Sequence, residues 1–214
     1  MEQGTLDLIV RFFVLTVSLT VHEFSHAWSA YRFGDDTAAR MGRMSLNPLV
    51  HLDPIGSLLI LFGMPIGWAK PVPVDVYRLR DPRRHGSLVA LAGPASNFVI
   101  AIVCCAIFAF MSRQALSMGT FQLLVWFIQI NFGLAIFNLL PLYPLDGSKV
   151  LPLFLTRQAA DRYEETMHRL GFWPLLILFL PAVFGFQGPL MLWFDLWRPV
   201  LRPILNVFGV PALW

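Results

Sequence analysis

"TVHEFSHAWSAY", residues 20–31, sets two histidines and a glutamate inside sequence that otherwise has the character of a membrane helix. Keeping His22, Glu23 and His26 away from water is costly, so such groups in a membrane segment mark a functional site by default. The apolar run that carries them, Leu6 to Ala30, exceeds the roughly 20 residues an α-helix needs to cross a bilayer. It lacks the basic start and small-residue cleavage site of a signal peptide, and it reads as a retained membrane helix.

Working outward, the 214 residues are 57% apolar and only 14% charged, which excludes an ordinary soluble domain and points to a polytopic membrane protein. Two further long apolar segments run from Leu88 to Met111 and from Phe121 to about Leu145. Shorter ones follow at 172–186 and 189–210. The last carries Asp195, Arg198 and Arg202 with three prolines, and it could tilt, break or lie at the interface. The expected fold is all-α: a single membrane domain over 1–214 with a three-helix core (6–31, 86–112 and 120–147) and one or two accessory spans within 172–210. Between the first two core spans, "IGSLLILFGMPIGW" is too short to cross and fits a re-entrant piece. Its flanks, "AARMGRMSLNPL" and "GWAKPVPVDV", predict short strands or extended edges, hence a short β-hairpin or re-entrant region within 32–85.

Charge placement sets the orientation. Residues 32–85 hold eight of the sixteen Lys and Arg, 149–169 hold four, and the turn at Arg113 holds one. The positive-inside rule places the two richer loops in the cytoplasm and the amino terminus outside. No basic and aromatic pattern suggests nucleic acid. The neighbouring Cys104 and Cys105 read as buried apolar filler, because a disulfide between adjacent residues is strained.

His22 and His26 are four residues apart and share a helix face, the separation two imidazoles need to grip one zinc ion. Glu23 beside them need not bind the metal; it can take a proton from a zinc-activated water. The plainer alternative is a helix whose polar residues face a protein interior. A catalytic zinc usually takes a third protein ligand, and the candidates are His51, His85, His168 and Asp146. The three histidines lie in polar loops, where surface or interfacial roles are the ordinary expectation. Asp146 lies in "FNLLPLYPLDGSKV", where Pro141 and Pro144 prevent a regular helix. Broken backbone at membrane depth is tolerated only in a protein-lined or wet setting. Asp146 borders the second basic loop, and the His22–His26 pair lies roughly 9–15 Å before the first at helical rise, so both approach from one side. Alternatively, Asp146 caps a helix end or pairs with Lys149.

Three motifs together, "HEFSH" at 22–26, "GPASN" at 93–97 and "NLLPLYPLDG" at 138–147, resemble the site-2 protease family of intramembrane zinc metalloproteases. The likeness covers roughly Leu6 to Val150, and the chain is similar to the compact prokaryotic members without a PDZ or CBS domain. The resemblance implies one Zn2+ per chain held by His22, His26 and Asp146, with Glu23 activating the water. It implies that Asn97 and Asn138 contact the substrate backbone or help stabilise the oxyanion; a helix-mending role is the alternative for each. It further implies a transmembrane protein substrate, a lipid setting in the cell membrane and an active site opening toward the cytoplasm. An unwound substrate could add as a strand to an edge near "GWAKPVPVD". The rival readings are a catalytically inactive membrane metal-binding or scaffold protein of the same fold and a metal-ion transporter.

Overall fold

A computed structural model of the chain describes residues 2–62, 68–112, 116–184, 186 and 188–211. Helix α1 spans Glu2–Phe33, roughly 48 Å at 1.5 Å per residue, and stops at Gly34, whose φ of 113° suits glycine. Two short helices follow, α2 (Thr37–Arg40) and α3 (Pro54–Leu61). Helix α4 (Pro82–Met111) starts sharply, because the Asp81 carboxylate accepts from the Arg84 amide and Pro82 fills the first position. Helix α5 (Met118–Asn138) is capped by Ser117, whose hydroxyl accepts from the Thr120 amide.

These three helices, α1, α4 and α5, are the described ones long and apolar enough to cross a membrane, and they pack on one another. Ala101, Cys105 and Phe108 of α4 interlock with Leu124, Ile128, Phe132 and Ile136 of α5. Both cysteines are free and buried. The opposite faces show exposed Ile9, Phe13, Val99, Val103 and Phe110, an apolar surface of the kind a membrane covers. Near its start α1 is clasped to α5: Asp7 accepts from Gln122 and Trp126, each at 3.0 Å, and pairs with Arg11 at 2.7 Å.

Among the described residues of 32–85, the expected hairpin reduces to one antiparallel bridge between Leu52 and Ala69, with the Lys70 amide donating to the His51 carbonyl at 2.8 Å. Pro71 and Pro73 lack N–H groups and cannot extend a ladder, so residues 70–75 cross the molecule as an extended strap. Helix α3 is eight residues long, about 12 Å, consistent with a half-spanning piece. A Cβ on Gly56 would sit 2.3 Å from the Trp68 carbonyl oxygen, so glycine is what lets the returning chain pass this close. Residues 63–67, within the re-entrant stretch, and 113–115, including Arg113, lie outside the described residues.

Helix α5 ends at Asn138, eight residues before Asp146, where the sequence reading carried it to about 145–147. Pro141 removes a helix hydrogen bond and disfavours helical backbone in the residue before it. The chain instead turns tightly through residues 139–146, with a cis peptide at Tyr143–Pro144, into the one-turn helix α6 (Gly147–Val150). Helix α7 (Arg157–Leu170) braces this turn: the Tyr163 hydroxyl donates to the Pro141 carbonyl at 2.9 Å. Of the expected accessory spans, α8 (Trp173–Val183) has eleven residues, about half a crossing. Helix α9 (Pro189–Val207) pairs Asp195 with Arg198 at 3.0 Å. It sets Leu201 and Leu205 into the α4–α5 core, and the Trp193 indole donates to the Ile136 carbonyl at 2.8 Å.

Candidate metal centre

Helix α1 presents His22 and His26 as neighbours one turn apart, with ring centroids 4.6 Å apart and planes nearly perpendicular. Their Nε2 atoms are 3.0 Å from each other, and Asp146 Oδ2 lies 3.1 Å from one and 3.3 Å from the other. Two segments 120 or more residues apart in sequence thus place three donor atoms at one point. Among the described residues this is the group of His, Cys, Asp and Glu side chains arranged to hold a metal ion.

The hydrogen-bond pattern fixes what those atoms are. His26 Nδ1 is 2.7 Å from the Val89 carbonyl oxygen, which only accepts, so Nδ1 carries a proton and Nε2 is the nitrogen turned toward the cluster, a lone pair in the neutral ring. His22 Nδ1 is 2.6 Å from Asn97 Oδ1. The Asn97 amide is itself oriented, because its Nδ2 donates to the Ser18 carbonyl at 3.2 Å and to Asn131 Oδ1 at 2.8 Å. His22 therefore also turns its Nε2 inward. Two imidazole nitrogens and a carboxylate oxygen packed within 3.3 Å form a compact donor set that one shared cation can satisfy. Ligands 2.0–2.2 Å from a tetrahedral zinc are about 3.3 Å apart, so the donor set fits that ion in chemistry and in size.

Helix α4 closes the back of the cluster. A Cβ on Gly93 would come within 2.4 Å of His26 Nε2 and 2.6 Å of His22 Nε2; only glycine leaves room there. The front is a cavity of about 310 Å³ lined by the two histidines, Asp146, Glu23, Asn138 and the strap residues Pro71 and Val72. Glu23 is nearly buried, and its Oε2 accepts from the Val72 amide at 2.8 Å. Outside the spans, the buried Asp35 anchors the same strap by accepting from the Asp75 amide at 2.8 Å. Burial pushes the Asp35 pKa up, but the Thr37 hydroxyl and amide, the Asp75 amide and Arg78 together hold it below the usual carboxylate range.

The other candidate ligands lie elsewhere. His51 is buried with Nε2 at 2.7 Å from the Ser45 carbonyl oxygen. His85 stacks on Phe33, and His168 rests beside Tyr143. Asp146 makes no capping hydrogen bond. Asn138 lines the cavity, with its Nδ2 donating to the Leu134 carbonyl at 3.0 Å. Asn97, for which the resemblance implied a substrate or oxyanion contact, is wholly buried, is not among the residues lining the cavity, and has its Oδ1 2.6 Å from His22 Nδ1. Asn131 and Ser18 complete this network, the Asn131 Nδ2 donating to Ser18 Oγ at 2.8 Å, and neither stood out in the sequence reading. The available signal was their polarity within apolar spans, and for Ser18 its place one turn before His22 on the same helix face.

The family model for peptidase family M50 matches residues 10–116 and 108–178. The chain is 39% identical over 185 residues to YwhC of Bacillus subtilis, covering 84% of this chain and 82% of that one. It is 32% identical over 187 residues to Rip2 of Mycolicibacterium smegmatis, covering 83% and 70%. The names of both class them among zinc metalloproteases. A zinc metalloprotease of Methanocaldococcus jannaschii is 25% identical over 150 residues, 70% of this chain and 35% of that one. No solved structure matches the chain.

Proposed function

The chain belongs to peptidase family M50, and from that membership we propose the working parts of an intramembrane zinc metalloprotease: His22, His26 and Asp146 hold the zinc, and Glu23 is the general base. One observation carries the reading. Three lone-pair atoms converge within 3.3 Å at the head of a cavity that also holds a carboxylate not among them. When bound, zinc supplies Lewis acidity, which lowers the pKa of a water toward 7 and polarises a peptide carbonyl. Glu23 takes the proton of the attacking water and passes it to the departing amine as the peptide C–N bond breaks and the water oxygen joins the carbonyl carbon. Asn97, held by Ser18 and Asn131, keeps the His22 ring in the tautomer that ligation needs. Asn138, on the cavity wall, is the side chain placed to meet the substrate backbone.

The substrate class follows from the setting. A site on membrane-spanning helices meets the transmembrane segments of other proteins, whose amides are already paired within their own helices. Such a segment has to unwind to enter. The strap beside the cavity offers it mainly carbonyl acceptors, since Pro71 and Pro73 have no N–H and the Val72 amide is occupied by Glu23. Lys149 at the cavity wall and the basic loops on either side support a reading in which the cavity opens toward the cytoplasm.

The test is to purify the protein in detergent, measure bound zinc and assay cleavage of a panel of single-span membrane proteins. Glu23→Gln is expected to keep one zinc per chain and to lose cleavage by about 100-fold or more. One equivalent of zinc with no Glu23-dependent cleavage would instead support the inactive, metal-holding scaffold.

A further inference from the structure

Arg43 is a cation in an unusual place. It is 8% exposed and among the described residues meets no carboxylate; its Nη2 donates to the Lys70 carbonyl at 2.7 Å and reaches the Pro71 carbonyl at 3.3 Å, while its Nε is buried with no acceptor among them. A guanidinium buried among carbonyls is a costly arrangement, so its own solvation does not explain its position. The next amide along the strap, that of Val72, is the one that donates to Glu23. Pro71 and Pro73 flank it and carry no N–H, which leaves Val72 as the single donor of this stretch.

Both ends of the arrangement are fixed. Gly42, at φ 68°, and the Arg43 amide, donating to the Ala38 carbonyl at 2.8 Å, aim the arginine back across the strap. Val72 itself packs with Ala27 of α1 and Ala38 of α2. Beyond Val72, Asp35 holds the Asp75 amide. The main chain is therefore gripped on each side of the one N–H that touches Glu23.

We propose that Arg43 is a positioning residue for Glu23: by holding the carbonyls of residues 70 and 71 it presents the Val72 amide that orients the carboxylate toward the cavity. The proposal rests on the assignment of Glu23 as base. The test uses the full chain in detergent with Arg43→Ala, Arg43→Lys and, as a control for lost charge on the neighbouring helix, Arg40→Ala, whose side chain is exposed and paired with Asp36. Arg43→Gln stands in if the alanine variant does not fold. Arg43→Ala is expected to lower kcat by on the order of 10–100-fold, to leave KM and zinc content unchanged, and to speed hydrogen exchange at the Val72 amide. Arg43→Lys recovers part of kcat and of the protection, because its ammonium can still donate to one carbonyl, and Arg40→Ala leaves both as in the natural chain. The proposal is overturned if Val72 stays protected in Arg43→Ala, if lost zinc or a raised KM accounts for the defect, or if lysine recovers nothing. Should the natural chain show no Glu23-dependent cleavage, the functional reading fails separately, and the exchange comparison still decides whether Arg43 sets the Val72 amide.

Discussion

Each imidazole of the cluster is steered by its far nitrogen. Val89 supplies a main-chain carbonyl to His26, which no side-chain substitution removes, whereas His22 depends on the Asn97 side chain. Asn97→Ala is therefore expected to weaken zinc binding about 10–100-fold, read by competition with a chelating dye, with KM for a substrate little changed at saturating zinc. A substrate-contact role would give the reverse, a raised KM with zinc affinity intact. The histidines and Glu23 were legible because three ionisable groups at helical spacing stand out in apolar sequence. Asn97 was visible as a residue but not in its task, which depends on which neighbour its amide meets across two helices. Arg43 and Val72 were hidden altogether, since a buried arginine reads as loop charge and a main-chain amide carries no sequence label.

At the scale of elements, the three core helices were readable from length and hydropathy alone, and their ends were less so. The sequence reading ran the third helix on toward Asp146, whereas the proline-bearing turn stops it at Asn138 and folds the chain back against its own end. That close return rests on Gly147, where a Cβ would lie 2.3 Å from the carbonyl oxygens of both Leu139 and Leu140. Main-chain oxygens at that distance cannot swing aside, so Gly147→Ala displaces the turn and the neighbouring Asp146 with it. The variant is expected to lose at least about 100-fold in cleavage and to bind less zinc than the natural chain. Gly133→Ala, on the lipid-spanning part of α5 with nothing within 4 Å of the added carbon, is the matched control and keeps both. Equal loss in the two variants would trace the defect to helix α5 and not to the turn. The strap was partly legible: its alternating prolines predicted an extended edge, but a hairpin ladder needs the very N–H groups that those prolines remove.

Taken whole, the described residues cohere in more than one way. The apolar interlock of α4, α5 and α9 needs no ion, while the junction between α1 and the turn after α5 runs through the cluster of His22, His26 and Asp146. Without the ion, that junction is left with only the mutual contacts of His22, His26 and Asp146. Zinc removal is thus expected to loosen the junction while leaving the helices in place. An ion that binds only the folded chain stabilises it by about 2.7 kcal/mol at 100 times its Kd, so the midpoint of thermal unfolding in detergent should rise steadily with free zinc and fall on chelation. Circular dichroism should meanwhile report unchanged helix content at low temperature. The same titration on Asp146→Ala, with one of the three proposed ligands gone, should show a much weaker dependence on zinc, and Glu23→Gln should follow the natural chain, because that carboxylate accepts from the Val72 amide and is not one of the three converging groups. A midpoint that ignores zinc in the natural chain, or one that Glu23→Gln uncouples as fully as Asp146→Ala does, would mean that the ion does not join these elements in the way the geometry requires.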